Sequence, residues 1–316
     1  MSARFVADVG GTNIRIATIT EDGLADIKKY LCNDFASIDI AIHRYFADTG
    51  RAFEAGCIAI ACPVTDDEVA MTNHSWSFSQ RALKQQLHLK ELFVINDFTA
   101  VAHSLPVLGE DQLIQIGNGH SVDKGNVAVF GAGTGLGVEH MKFTAEGWQT
   151  LDGEGGHVDF APVDETDIVV WRYLQTQLDR VSAEDVLSGR GLLNIYRALA
   201  LHHGISPSVS DPAKVTEMAL KDECVICLSS LTQFCRIMGS FAGNLALNLA
   251  TTGGVYIGGG IATRFTDFLV NSDFRARFEA KGRMKHYVKD IPTYLINEPD
   301  HGLLGASAYL QQQIAS

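Results

Sequence analysis

Six short segments of this chain carry residue types able to do chemistry. The first is Asp8-Val9-Gly10-Gly11-Thr12-Asn13. A glycine pair lets the backbone approach a ligand and turn its N–H groups toward an anion. Thr12 and Asn13 add short hydrogen-bonding side chains, and Asp8 is a carboxylate suited to hold hydrated Mg²⁺ beside phosphates. The same residues also suit an ordinary hairpin turn. The second segment, Gly131-Ala132-Gly133-Thr134-Gly135-Leu136-Gly137, has four glycines and a threonine after an apolar run. A Rossmann loop is a competing reading, because Asp152 lies about twenty residues on. However, the G-x-G-x-x-G spacing fails at Leu136, and residues 138–143 read as strand where that motif requires a helix. No Gly-Lys-Ser/Thr occurs, so a Walker A loop is absent too. An anion cradle built from two hairpin turns fits better.

Asn96-Asp97 closes an apolar run, where ligands of α/β sheets collect. Asp97 there suits a general base, and equally the N-cap of the next helix. Gly153-Glu154-Gly155-Gly156-His157 sets a carboxylate and an imidazole among glycines, whose ordering costs conformational entropy. Both side chains can hydrogen-bond vicinal hydroxyls, as a polyol site demands. Ser182-Ala183-Glu184-Asp185 has capping-box spacing. Asp185 would close that box and leave Glu184 free to point elsewhere; spacing alone favours the capping role for this segment. Gly258-Gly259-Gly260 follows another short apolar run.

The elements that must position these groups follow from pattern. Residues 5–9 and 14–19 read as strands joined by a glycine turn, with a third strand at 27–31. Ser37 is expected to cap a helix running to about Asp48. Residues 57–61 form a buried strand stopped by Pro63. Ser79 caps a helix with Leu83 and Leu87 inward, and residues 92–95 form an apolar strand. The series begins again with strands at 127–130 and 138–143, a long helix at about 225–249 and a strand at 255–257. Each half opens with strand, Gly-Thr turn, strand, which suggests a duplicated α/β unit with a ligand between the halves.

Bulk properties exclude several functions. The 316 residues include 46% hydrophobic residues, enough for a large core, and the formal charge is −12 with no compact basic patch. Nucleic acid and anionic membrane are therefore poor partners. The charge-free stretch between Arg236 and Arg264 is interrupted by Asn244, Asn248, threonines and glycines, so it reads as a buried helix and strand end, not a membrane span. No apolar leader precedes the first strand, and the expected location is cytoplasmic. The six cysteines read as free core thiols. Cys224-x-x-Cys227 has the spacing of half a zinc site, but no second pair follows, and no zinc is expected.

Taken in order, the segments around Asp8, Asn96-Asp97, Gly131, Gly153 and Gly258 closely resemble the bacterial glucokinase family, as do Cys57-Ile58-Ala59-Ile60-Ala61-Cys62-Pro63 and Met71-Thr72-Asn73-His74. The resemblance runs from residue 7 to about Gly305. It implies the two-domain α/β, actin-like (ribonuclease H-like) ATPase fold of hexokinase type, with an interdomain cleft. The small domain would hold residues 1–107 and 298–316, and the large one 108–297. It further implies Asp97 as catalytic base and Asn96, Glu154, His157 and Glu184 as sugar clamps. Ala7, Asp8, Val9, Gly10, Gly11, Thr12, Gly133, Thr134, Gly258, Gly259 and Gly260 would contact ATP, with Asp8 near Mg²⁺ through water. The implied substrates are glucose and ATP, and the implied assembly is a homodimer. Related sugar kinases carry a cysteine-rich zinc motif after the Gly-His element; here Val158-Asp159-Phe160 follows instead. A kinase for another hexose, an ATP- or sugar-binding sensor and a dinucleotide enzyme are the rival readings.

Overall fold

An apolar strand, a two-residue glycine turn and a second apolar strand open the first of two units. The computed structural model describes residues 3–71 and 74–315, so Thr72 and Asn73 of the Met71–His74 motif lie outside the described residues. The first unit comprises the described parts of Met1–Glu110, Ala145–Trp148 and Glu298–Ser316; the second comprises Asp111–Thr144 and Gln149–Asn297.

In the first unit, β1 (Ala3–Val9), β2 (Asn13–Thr20) and β3 (Gly23–Leu31) form an antiparallel meander. Helix α1 (Ile38–Thr49) returns the chain to β4 (Phe53–Ile60), which lies parallel to β1. A small ribbon of β5 (Glu68–Ala70) and β6 (Ser77–Ser79) leads into α2 (Gln80–Gln86). Strand β7 (Glu91–Asn96) then pairs parallel to β4, giving the order β3-β2-β1-β4-β7, and α3 (Asp97–Ser104) follows. Ser79 caps α2 as expected, its hydroxyl accepting from the Ala82 N–H at 3.1 Å. Ser37 occupies the N-cap of α1 with extended backbone, yet its side chain makes no capping bond.

The two-residue period of β1 sorts its side chains. Phe5, Ala7 and Val9 pack toward α1 and α2, whereas Val6 packs with Ala100, Leu303 and Ala306 toward α3 and the C-terminal helix, His301–Ala315. Asp8 shares the face of Val6, which aims its carboxylate at the first turn of that helix.

The second unit begins with β8 (Leu113–Gln115), β9 (Val127–Ala132), β10 (Leu136–Thr144) and β11 (Gly147–Thr150). Four helices follow: α4 (Glu165–Gln175), α5 (Gly189–His202), α6 (Pro212–Leu220) and α7 (Val225–Leu249). Strand β12 (Gly254–Gly258), short helices α8 (Thr266–Val270), α9 (Phe274–Glu279) and α10 (Lys285–Val288), and strand β13 (Thr293–Ile296) complete it. The sheet order is β11-β10-β9-β12-β13-β8. Its hairpin β9–β10 is antiparallel, and β12 and β13 join parallel, as β4 and β7 do in the first unit. The two sheets therefore share a topology: meander first, then two parallel additions. Strand β8 adds an antiparallel edge.

Helix α7 is the only described helix long and apolar enough to cross a membrane, but 67% of its apolar window is buried. Phe234, Met238 and Ala242 are among its core residues. Ser182 and Asp185 do bond reciprocally: the Asp185 carboxylate accepts from the Ser182 N–H at 2.9 Å and the Ser182 hydroxyl accepts from the Asp185 N–H at 3.4 Å. No helix grows from that box, however. It closes a turn, and α5 starts six residues on from Ala183, capped by Ser188, whose hydroxyl accepts from the Gly191 N–H at 3.0 Å.

Candidate active site

In the first unit the reactive groups sit at the carboxyl ends of β1, β4 and β7. The turn after β1 is the tight hairpin expected from its glycines, with the Gly10 N–H donating to the Asn13 carbonyl at 2.9 Å. Hairpin register pairs Asp8 with Arg15 across the strands. The Arg15 guanidinium donates to Asp8 Oδ2 at 2.7 Å and reaches Asp300 at 3.2 Å and the Pro299 carbonyl at 2.7 Å. A Cβ on Gly302 would lie 3.2 Å from the Asp8 carboxyl carbon, so the first turn of the C-terminal helix faces this carboxylate and its dipole favours the charge.

At the end of β7 the structure separates two roles that spacing had left open for Asp97. Asn96 is the N-cap: its side-chain oxygen accepts from the Phe98 N–H at 2.8 Å, while its amide nitrogen donates to the Cys62 carbonyl at 3.1 Å. Asp97 is the first helical residue, partly buried, with Oδ1 accepting from the same Phe98 N–H at 3.0 Å. Burial pushes the Asp97 carboxyl up to about 7, and the nearby Asp8 carboxylate pushes the same way, against the stabilising N–H donors of Phe98 and Asp97 and the Asn96 side chain. A carboxyl tuned to neutral pH is the property a general base needs.

In the second unit three loops are tied together around Glu184. The β9–β10 turn narrows to Gly133-Thr134-Gly135, with the Gly133 N–H donating to the Gly135 carbonyl at 2.8 Å. Glu184 lies under it: Oε2 accepts from the Leu136 N–H at 3.0 Å, and a Cβ on Gly135 would lie 2.6 Å from that oxygen. The Glu184 N–H donates to the Gly156 carbonyl at 2.9 Å, which ties in the Gly153–His157 segment. Gly156 is required there, since a Cβ would overlap the Leu136 carbonyl. Glu184 is thus engaged rather than free, and Arg190 adds a 3.5 Å contact to Oε1. Glu154 and His157 are exposed at either end of a short turn closed by the His157 N–H donating to the Glu154 carbonyl at 3.0 Å. The N-terminus of α5 joins the cluster through the Gly189 N–H, which donates to the Gly133 carbonyl at 2.9 Å. Gly258 ends β12, and Gly259 and Gly260 follow with increasing exposure; Gly258 pairs with Gly131 across the sheet.

Arg15, Asp300 and Arg190 are site neighbours that motif reading missed. Arg15 was within reach of it: a two-residue turn at Gly11-Thr12 makes Asp8 and Arg15 cross-strand partners, and opposite charges there attract. Asp300 and Arg190 carry no comparable local signal.

The residues also suit a magnesium–nucleotide substrate. Mg²⁺ is usually held by one or two carboxylates plus substrate phosphates, not by an all-protein cage. The described residues contain no cluster of three or more metal-ligating side chains. They do contain Asp8, whose carboxylate raises its neighbour Asp97, a repulsion that a cation beside Asp8 would relieve.

The glucokinase family model matches residues 5–313. A glucokinase of Yersinia enterocolitica serotype O:8 is 50% identical over 316 residues, covering 99% of this chain and 98% of that protein. One from Colwellia psychrerythraea is 47% identical, covering 97% and 96% respectively. Among solved structures, a glucokinase from an Antarctic psychrotroph superimposes with a TM-score of 0.90 at 35% identity, over 98% of this chain and 99% of that one. The ROK hexokinase of Thermus thermophilus, at 17% identity and a TM-score of 0.70, shares the fold. With its paired β-meander units and with these matches along nearly its whole length, the chain belongs to the glucokinase family.

Proposed function

We propose that this protein transfers the γ-phosphoryl group of Mg-ATP to the 6-hydroxyl of glucose, giving glucose 6-phosphate and ADP. The observation that carries the reading is the Asp97 carboxyl, held at the end of β7 and pushed up to about 7 by burial and by Asp8. Phosphoryl transfer asks the protein mainly for positioning and charge stabilisation. Asp97 accepts the proton of the 6-hydroxyl as that oxygen attacks the γ-phosphorus. Its two amide-anchored neighbours, Asn96 and Phe98, fix the carboxyl so that one oxygen faces the acceptor.

The sugar is read by hydroxyl-pairing groups: the remaining N–H of Asn96, the Glu154 carboxylate, the His157 imidazole and the Glu184 carboxylate. A site that pairs buried hydroxyls rejects an analogue lacking one by orders of magnitude. The glycine turns at residues 10–12, 133–134 and 258–260 receive the phosphates through the backbone N–H groups not spent on closing the turns, which lets a chain of charge −12 bind an anion locally. Asp8, paired with Arg15, would hold magnesium beside the phosphates, where the ion would supply charge neutralisation. The two domains comprise residues 1–107 with 298–316 and residues 108–297. The enzyme acts in the cytoplasm as a homodimer.

Replacing Asp97 by Ala tests the assignment. Turnover should fall by about 10²–10⁴-fold, the usual worth of a positioned base, while glucose affinity measured by calorimetry stays within a few-fold. Near-normal turnover would remove Asp97 as the base.

A further inference from the structure

The dithiol at the start of α7 has no part in the phosphoryl-transfer site. Cys224 is the N-cap of this 25-residue helix, with its sulfur accepting from the Cys227 N–H at 3.2 Å. Cys227, three residues on, is fully buried. Thiol–disulfide exchange needs an accessible sulfur with a second thiol within reach, and Cys224 is partly exposed at the helix start with Cys227 beside it. The Cys224 sulfur already rests on the backbone N–H of Cys227, so a side-chain rotation and a small backbone adjustment bring the pair to the ~3.8 Å Cβ separation of a disulfide. The other four cysteines, Cys32, Cys57, Cys62 and Cys235, are buried. Cys224 is the partly exposed member of the pair, so it is the sulfur that a dissolved disulfide reaches first.

We propose that Cys224 and Cys227 form a reversible disulfide by exchange with a low-molecular-weight disulfide of the glutathione type. The Cys224 thiolate attacks one sulfur of oxidised glutathione. The S–S bond breaks, one glutathione thiolate leaves, and a Cys224–glutathione mixed disulfide forms. Cys227 then gives its proton to water and attacks the Cys224 sulfur, releasing the second glutathione. Two protein thiols are oxidised by two electrons, and one oxidised glutathione is reduced to two thiols. A third group is not needed, because the resolving thiol lies only three residues from the attacking one.

The test is intact and peptide mass measurement of the full chain after equilibration in glutathione buffers of graded oxidation, followed by alkylation. Wild type should lose two hydrogens, mapped to a Cys224–Cys227 cross-link and reversed by dithiothreitol, with the other four cysteines alkylated only after unfolding. In Cys227→Ser the reaction should stop as a glutathione adduct on Cys224, and Cys224→Ser should show neither product. Wild type in which both thiols remain alkylatable in fully oxidised buffer overturns the proposal. So does a Cys227→Ser protein whose Cys224 gains no adduct.

Discussion

Removing water from the Asp97 carboxyl and setting Asp8 near it makes its ionised form costly, yet a base must be ionised to work. Two pH dependences of opposite sign follow. Catalytic efficiency should rise with a one-proton slope through about pH 7, where Asp97 loses its proton, and level off above. Stability runs the other way. The folded value of about 7 lies above the ~3.9 of an unfolded Asp. Between those values the native state therefore holds the proton more tightly, and the stability from this group falls as pH rises. Asp97→Asn lacks that loss, so its stability advantage over wild type should grow from pH 4 to 8, on the order of 4 kcal/mol. Denaturant titrations at the two pH values check this; a constant difference would mean Asp97 is not the strained group. Motif reading placed Asp8 and Asp97 on strand ends, and both stand there. It left Asp97 between base and cap because a cap is chosen by one residue of backbone phase, and Asn96 takes it.

At the scale of elements, strand and turn segments were readable because apolar runs bounded by glycines admit little else. Caps were less so. Ser79 caps, but Ser37 makes no capping bond, and the Ser182–Asp185 box closes a turn whose real purpose is to present Glu184 under the glycine loop. The difference lies in partners from distant sequence: Leu136 and Gly156 supply the bonds that hold Glu184. Glu184→Gln keeps an oxygen for the Leu136 N–H, so the fold should persist while sugar binding weakens by about 10-fold through loss of a charged acceptor. Glu184→Ala should also lower stability by about 1–3 kcal/mol, since it strands that N–H. Calorimetry and thermal melts separate the two, and a Gln variant that loses only stability would reduce Glu184 to a strut. Equally invisible in sequence is the buried cluster joining α4, α7 and α9. Arg277 donates to Asp164 at 2.5 Å and to Asp167 at 2.7 Å, and Gln233 donates to Asp167 at 2.6 Å. Asp167 is 0% exposed, so Arg277→Met would leave a buried charge unpaired and cost about 3–5 kcal/mol. A melting temperature unchanged by that substitution would contradict the packing described.

Across the whole molecule, the echo of strand, glycine turn, strand becomes a shared topology: two sheets in which a meander is extended by two parallel strands. Sequence identity between the halves is not needed for this, because what recurs is the placing of tight glycine turns at strand ends. Choice of sugar is carried by side chains and is the least visible property of such a fold. The central claim is therefore tested most directly by incubating the purified chain with Mg-ATP and each of glucose, mannose, fructose and N-acetylglucosamine, following ADP release and, for glucose, glucose 6-phosphate through a coupled dehydrogenase. Rapid, glucose-selective product formation is the expected result. Folded protein that binds ATP but phosphorylates none of these sugars, or prefers one of the other three, would contradict it.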